Sequence, residues 1–104
     1  MRLDVIFGKK QKISVIVPIY NEESTIKSLQ KQLIPLLDKC EILFVDGGSK
    51  DRTLSMIDSR FRVLHSEKGR ANQMNLGAKE SSGDILFFLH SDSELPKHPL
   101  AEIR

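Results

Sequence analysis

Tryptophan is absent, cysteine occurs once, and the balance of charge favours neither sign by much. Each shortage removes a class of protein. Cys40 has no second thiol to pair with, so internal disulfides of the kind that staple small secreted domains are excluded. The longest apolar runs, Ile13 to Tyr20 and Ile85 to Leu89, fall far short of the roughly 20 residues that a membrane-spanning helix needs. The first residues carry no sustained apolar core and no small-residue cleavage site, which makes a cytoplasmic location the expectation. Sixteen Lys and Arg against 14 Asp and Glu leave a net charge of +2, without the concentrated positive charge of a duplex binder. No nucleic-acid partner is expected. With only 6 Gly and 4 Pro, 39% hydrophobic and 29% charged residues, the composition is that of a folded globular chain, and 104 residues give room for one domain over 1–104.

What is present alternates between two periodicities. Ile13-Ser14-Val15-Ile16-Val17 is rich in β-branched residues and predicts a first strand, stopped by Pro18. Asn21-Glu22-Glu23-Ser24 offers a helix start, after which Ile26, Leu29 and Leu33 recur at helical spacing until Pro35. Glu41 to Val45, bounded by Gly47-Gly48, predicts a buried second strand. A short helix is predicted over Thr53–Asp58, a third strand over Phe61–His65, and a helix over Arg70–Glu80 with Ala71, Met74 and Ala78 on one face. The fourth strand, Asp84 to Leu89, is the most hydrophobic segment. Strands that are apolar throughout and alternate with helices predict an α/β domain: a Rossmann-like, mainly parallel sheet of about four strands with helices on both faces.

Ligands of such sheets bind beyond the carboxyl ends of the strands, near the point where strand order reverses. Tyr20, Asn21 and Glu22 follow strand one; Asp46-Gly47-Gly48-Ser49 and Asp51 follow strand two; His90, Ser91, Asp92, Ser93 and Glu94 follow strand four. Three polar, carboxylate-rich clusters therefore converge on one edge. Carboxylates gathered with a histidine suit a hard divalent cation, Mg²⁺ or Mn²⁺, that keeps positions open for phosphate oxygens. Arg70 opens a helix after Lys68-Gly69, where its charge and free backbone N–H groups can meet an anion. Neither G-x-G-x-x-G nor G-x-x-x-x-G-K-[ST] occurs, which argues against a dinucleotide dehydrogenase and a P-loop NTPase. A phosphoacceptor receiver domain would use Glu22, Glu23 and Asp46, but it requires a fifth strand ending in lysine, and none is visible.

Val15-Ile16-Val17-Pro18-Ile19-Tyr20-Asn21-Glu22, Val45-Asp46-Gly47-Gly48-Ser49-Lys50-Asp51-Arg52-Thr53 and Gly69-Arg70-Ala71-Asn72-Gln73-Met74-Asn75-Leu76-Gly77-Ala78 resemble the successive motifs of family 2 glycosyltransferases, in order and at the usual spacing. Gly83-Asp84 to Pro96 resembles the family's fourth strand and the metal motif behind it. The wording of the last two motifs is similar to that of a bacterial subgroup, the radical-SAM/selenodomain-associated transferases.

The resemblance implies a GT-A fold whose N-terminal half holds a nucleotide-sugar, commonly a UDP-sugar, through a divalent cation. It implies that Pro18, Tyr20 and Glu22 border the nucleoside, that Asp46 faces the uracil edge, that Arg70 approaches base or diphosphate, and that Asp92 binds the metal. The family's D-x-D motif reads His90-Ser91-Asp92 here, or else Asp92-Ser93-Glu94, so that His90 or Glu94 joins Asp92. In the family the acceptor site and general base come after the position of Arg104, so no catalytic residue is assigned. The expected partners are a nucleotide-sugar donor, an unknown acceptor and a second copy of the chain paired along the apolar fourth strand. The alternative is a non-catalytic nucleotide-binding or assembly module.

Overall fold

A parallel sheet in the order β3-β2-β1-β4 is the frame of the computed structural model, which describes residues 12–90. Its strands are β1 (Ile13–Ile19), β2 (Glu41–Asp46), β3 (Arg62–His65) and β4 (Ile85–Phe88). Helix α1 (Ile26–Leu33) joins β1 to β2, and α2 (Arg70–Glu80) joins β3 to β4. Single 3-10 turns lie at Ile34–Leu36 and Leu54–Met56. All three strand pairings are parallel; Ile16, for example, stands beside Leu43 on one side and Phe88 on the other. The strand order turns at β1, with β2 and β4 on its two sides.

Alternation along the strands divides the core between two faces. Val15, Val17 and Ile19 of β1, with Ile42 and Phe44 of β2, meet Ile26, Leu29 and Leu33 of α1, together with Phe61 and Leu89. The Phe44 and Phe61 rings meet edge to face, centroids 5.1 Å apart. On the other face Ile16, Leu43 and Val45 pack against Leu76 and Ala78 of α2, with Leu64 and Phe88. Helices thus cover both faces, as the apolar strands require. Arg62 on the outer strand β3 pairs with Glu80 at 3.2 Å and with Glu41 at 3.7 Å, tying that edge to the end of α2 and the start of β2.

Three local expectations are corrected. Pro18 does not stop β1, which runs on to Ile19 beside Asp46. The Ile19 carbonyl accepts from Gly47 on the β2 side and the Ile16 carbonyl from Leu89 on the β4 side, so the alternation turns the nitrogen of Pro18 toward β4, beyond the last paired residues. No ladder bond is lost there. Thr53–Asp58 forms only one 3-10 turn, because the buried amide of Gln30 accepts from the Asp58 N–H at 2.7 Å and donates to the Met56 carbonyl at 2.9 Å. Those are groups a longer helix would use internally. In α2 the fully buried residues are Gln73 and Gly77; of the expected face Ala78 packs on the sheet only partly buried, Met74 is half-buried and Ala71 is exposed. A Cβ at Gly77 would stand 2.3 Å from Ile16 Cγ2, so the helix backbone itself lies on the sheet.

Candidate functional site

The loops after β1 and β2 are zipped together by side chains. Asn21 adopts φ +50°, a region Asn tolerates because its short amide bonds locally. Its Oδ1 accepts from the Lys50 N–H at 2.8 Å, while its own N–H donates to Ser49 Oγ at 2.9 Å. The Glu22 N–H donates to the buried hydroxyl of Thr53 at 2.7 Å, and the Glu23 N–H to Asp51 Oδ2 at 3.3 Å. Asp51 is pushed up by desolvation but more strongly down by bonds from the Thr53 hydroxyl and the Thr53 and Glu23 N–H groups, so its carboxyl sits below the usual range.

Asp46, at the end of β2, is 1% exposed. Its Oδ2 accepts from the N–H groups of Gly48 and Ser49, both at 2.9 Å, and its Oδ1 from the Ser49 hydroxyl. The carboxylate is therefore turned into its own loop as an Asx turn rather than outward, and Asp46 does not line the neighbouring cleft.

That cleft, about 360 Å³, opens at the carboxyl ends of β1 and β4, where the strand order turns. The β1 end contributes Pro18, Ile19, Tyr20 and Glu22; the approach to α2 contributes Lys68, Gly69, Arg70 and Gln73; His90 follows β4. Pro18 and Ile19 are buried, whereas Lys68 and Arg70 are exposed. Lys68 Nζ lies 4.4 Å from the centre of the Tyr20 ring, a cation–π contact that holds an ammonium at the mouth. Helix α2 begins at Gly69 without a side-chain cap, leaving its first N–H groups available beside the two cations. The mouth thus suits an anion, and the apolar wall with Tyr20 suits a ring.

Of the predicted site residues, Pro18, Tyr20, Glu22, Arg70 and His90 come together around this one cleft. Asp92 and Glu94 lie outside the described residues. Among the described residues no group of three His, Cys, Asp or Glu is gathered to hold a metal ion, and none of their helices is long and apolar enough to cross a membrane. Sequence reasoning missed Lys68 and Gln73 as lining residues. Lys68 carried a signal, since it adjoins the Gly69-Arg70 helix start. Gln73 carried only the helical spacing that places it one turn beyond Arg70 and one turn before Gly77.

Residues 14–103 match the family model described as Glycosyl transferase family 2. Glucosyl-3-phosphoglycerate synthase of Mycobacterium tuberculosis is 39% identical over 102 residues, which are 85% of this chain and 31% of that protein. A crystal structure of the synthase from that organism, in complex with Mn²⁺, UDP and glucosyl-3-phosphoglycerate, superposes with a TM-score of 0.67 at 34% identity, covering 79% of this chain and 34% of the other. A mannosyltransferase from Pyrobaculum calidifontis, in complex with GDP-Man and Mn²⁺, gives a TM-score of 0.71 at 25% identity over 84% of this chain and 29% of the other. The chain spans about a third of the length of these two proteins.

Proposed function

Because the chain belongs to glycosyl transferase family 2 and has the Rossmann-like GT-A arrangement of sheet and helices, we propose that its cleft is the donor site for glycosyl transfer from a nucleotide-sugar, a UDP-sugar first, to an acceptor hydroxyl. One observation carries the reading. Two cations, one of them stacked on Tyr20, and an uncapped helix start share a single cleft with apolar residues at the strand-order turn. Nucleotide-sugars have the same division, a charged diphosphate joined to a flat base.

In this reading Pro18 and Tyr20 flank the base, and Glu22 accepts from a hydroxyl. Lys68 and Arg70 bind the diphosphate and stabilise the negative charge that grows on it as the sugar departs. Asp46 acts from behind by fixing the Gly47–Ser49 turn. The proton of the acceptor hydroxyl has no assigned base among the described residues. A divalent cation, Mg²⁺ or Mn²⁺, belongs to the proposal: the imidazole of His90 is at the cleft, and imidazole with the carboxylates of Asp92 or Glu94 is a donor set that suits Mn²⁺ well. When bound, such an ion supplies positive charge to the leaving diphosphate. The solved relatives that carry Mn²⁺ with UDP or GDP-Man support this choice. A second copy of the chain, paired along β4, completes the proposed partners.

Calorimetry with UDP, with and without Mn²⁺, tests the proposal. Binding should strengthen with Mn²⁺, Asp92→Ala should remove that dependence, and Arg70→Ala should weaken binding roughly tenfold, as loss of a charged hydrogen bond does. No heat with UDP in the presence of Mn²⁺ would sink it.

A further inference from the structure

Gln73 is 5% exposed and reaches from α2 to the ends of two strands. Its Nε2 donates to the carbonyls of Ile19 and Val45, both at 2.8 Å. These bonds fix which way the amide points: only the NH₂ group can approach two carbonyl oxygens, so Oε1 is turned away from them. Gly47 closes one side, since a Cβ there would stand 3.0 Å from the amide carbon and 3.1 Å from its nitrogen and oxygen. Among the described residues no group donates to Oε1. Neither is that oxygen sealed off, because no fully buried side-chain oxygen or nitrogen among them lacks a hydrogen-bond partner. Gln73 is one of the residues that line the cleft.

We propose that Gln73 Oε1 is the fixed acceptor that reads a hydrogen-bond donor of the bound nucleoside, either the imino N–H of the base or the ribose 2′-hydroxyl. The proposal rests on the nucleotide-sugar reading above and assigns its specificity. Asp46, another acceptor near the strand ends, is 1% exposed, is turned into its own loop by bonds from Gly48 and Ser49, and does not line the cleft. Gln73 has nothing to break. Its two strand-end bonds hold the acceptor in place before any ligand arrives, and a held acceptor left unpaired penalises a ligand that brings no donor.

The experiment compares UDP, N3-methyl-UDP and 2′-deoxy-UDP by calorimetry in the presence of Mn²⁺. The analogue lacking the donor that Gln73 reads should bind the wild-type protein about tenfold more weakly than UDP, and which analogue it is tells base from ribose. Gln73→Met keeps the length of the side chain and removes the acceptor, so the preference should shrink to about twofold or less. Circular dichroism checks that this variant folds, and the ratio of affinities is read rather than either affinity. As a second measurement on the wild-type protein, the side-chain amide resonances of Gln73 should shift with UDP and not with the discriminated analogue. Equal affinity for all three ligands, a Gln73→Met variant that retains the preference, or equal resonance shifts would overturn the inference while UDP binding stands. Failure of UDP to bind would remove the nucleotide reading, and the inference with it.

Discussion

Two side chains at the lower end of the sheet and one at its upper end show how titratable groups take different roles. Glu41 is a carboxylate that burial pushes up, yet bonds from Ser82 and Ser14 outweigh this and hold it below the usual range. Asp46 uses both oxygens to shape a turn. Cys40, at the approach to β2, does neither. Burial first, and the negative charge of Asp38 second, push its thiol from 9.0 up to about 11. Only the thiolate reacts, so at pH 8 a thiol raised to about 11 should alkylate about a hundredfold more slowly than one at 9.0. Timed iodoacetamide labelling in native buffer and in denaturant measures this. Labelling at the denatured rate in the native state would show that Cys40 is not held as described.

At the scale of elements, Gly77 decides how close α2 lies to the sheet. Alanine there would gain about 1 kcal/mol of helix propensity, but its methyl would stand 2.3 Å from Ile16 and 3.2 Å from Val45, both fully buried. Overpacking of this kind costs about 1–3 kcal/mol, so the net effect should be a loss of stability. Denaturant unfolding of Gly77→Ala should give a lower midpoint, and an unchanged or higher one would refute this packing account. The same residue marks where the sequence was legible. The four strands and two helices follow from apolar runs and helical spacing, which are direct traces of burial. The sheet-facing side of α2 does not, because Gln73 and Gly77 are not apolar: one is buried for its hydrogen bonds and the other for its lack of a side chain. Pro18 misled for a related reason. Its effect depends on whether a neighbouring strand still faces its nitrogen, and that is set by where β4 ends, far away in the chain. In the cleft, Tyr20, Glu22, Arg70 and His90 were legible because they follow strand ends, while the inward turn of Asp46 depends on bonding to its own loop.

The two edges of the sheet formed by the described residues are unlike, and their difference sets up a prediction about assembly. On β3 the outer strand carries Arg62 and His65, both exposed, and Arg62 is anchored by Glu80 at 3.2 Å; such charges discourage pairing with another chain. On β4 the sequence is Ile85-Leu86-Phe87-Phe88, with Leu86 38% exposed, and no other described strand pairs with its outer side. An uncharged, proline-free edge that no described strand covers is the kind that recruits a matching strand, and a second copy would supply one by symmetry. Phe87 packs against the core on one face and Phe88 on the other, so charges at those positions would damage the fold as well as the edge. Leu86 is the cleaner probe because its side chain is already partly in solvent. Sedimentation or light scattering over a range of concentrations should show a dimer or larger assembly for the wild-type chain and a shift toward monomer for Leu86→Lys, with circular dichroism unchanged. A wild-type chain that stays monomeric to high concentration, or a Leu86→Lys variant that associates as strongly, would rule out β4 as the contact.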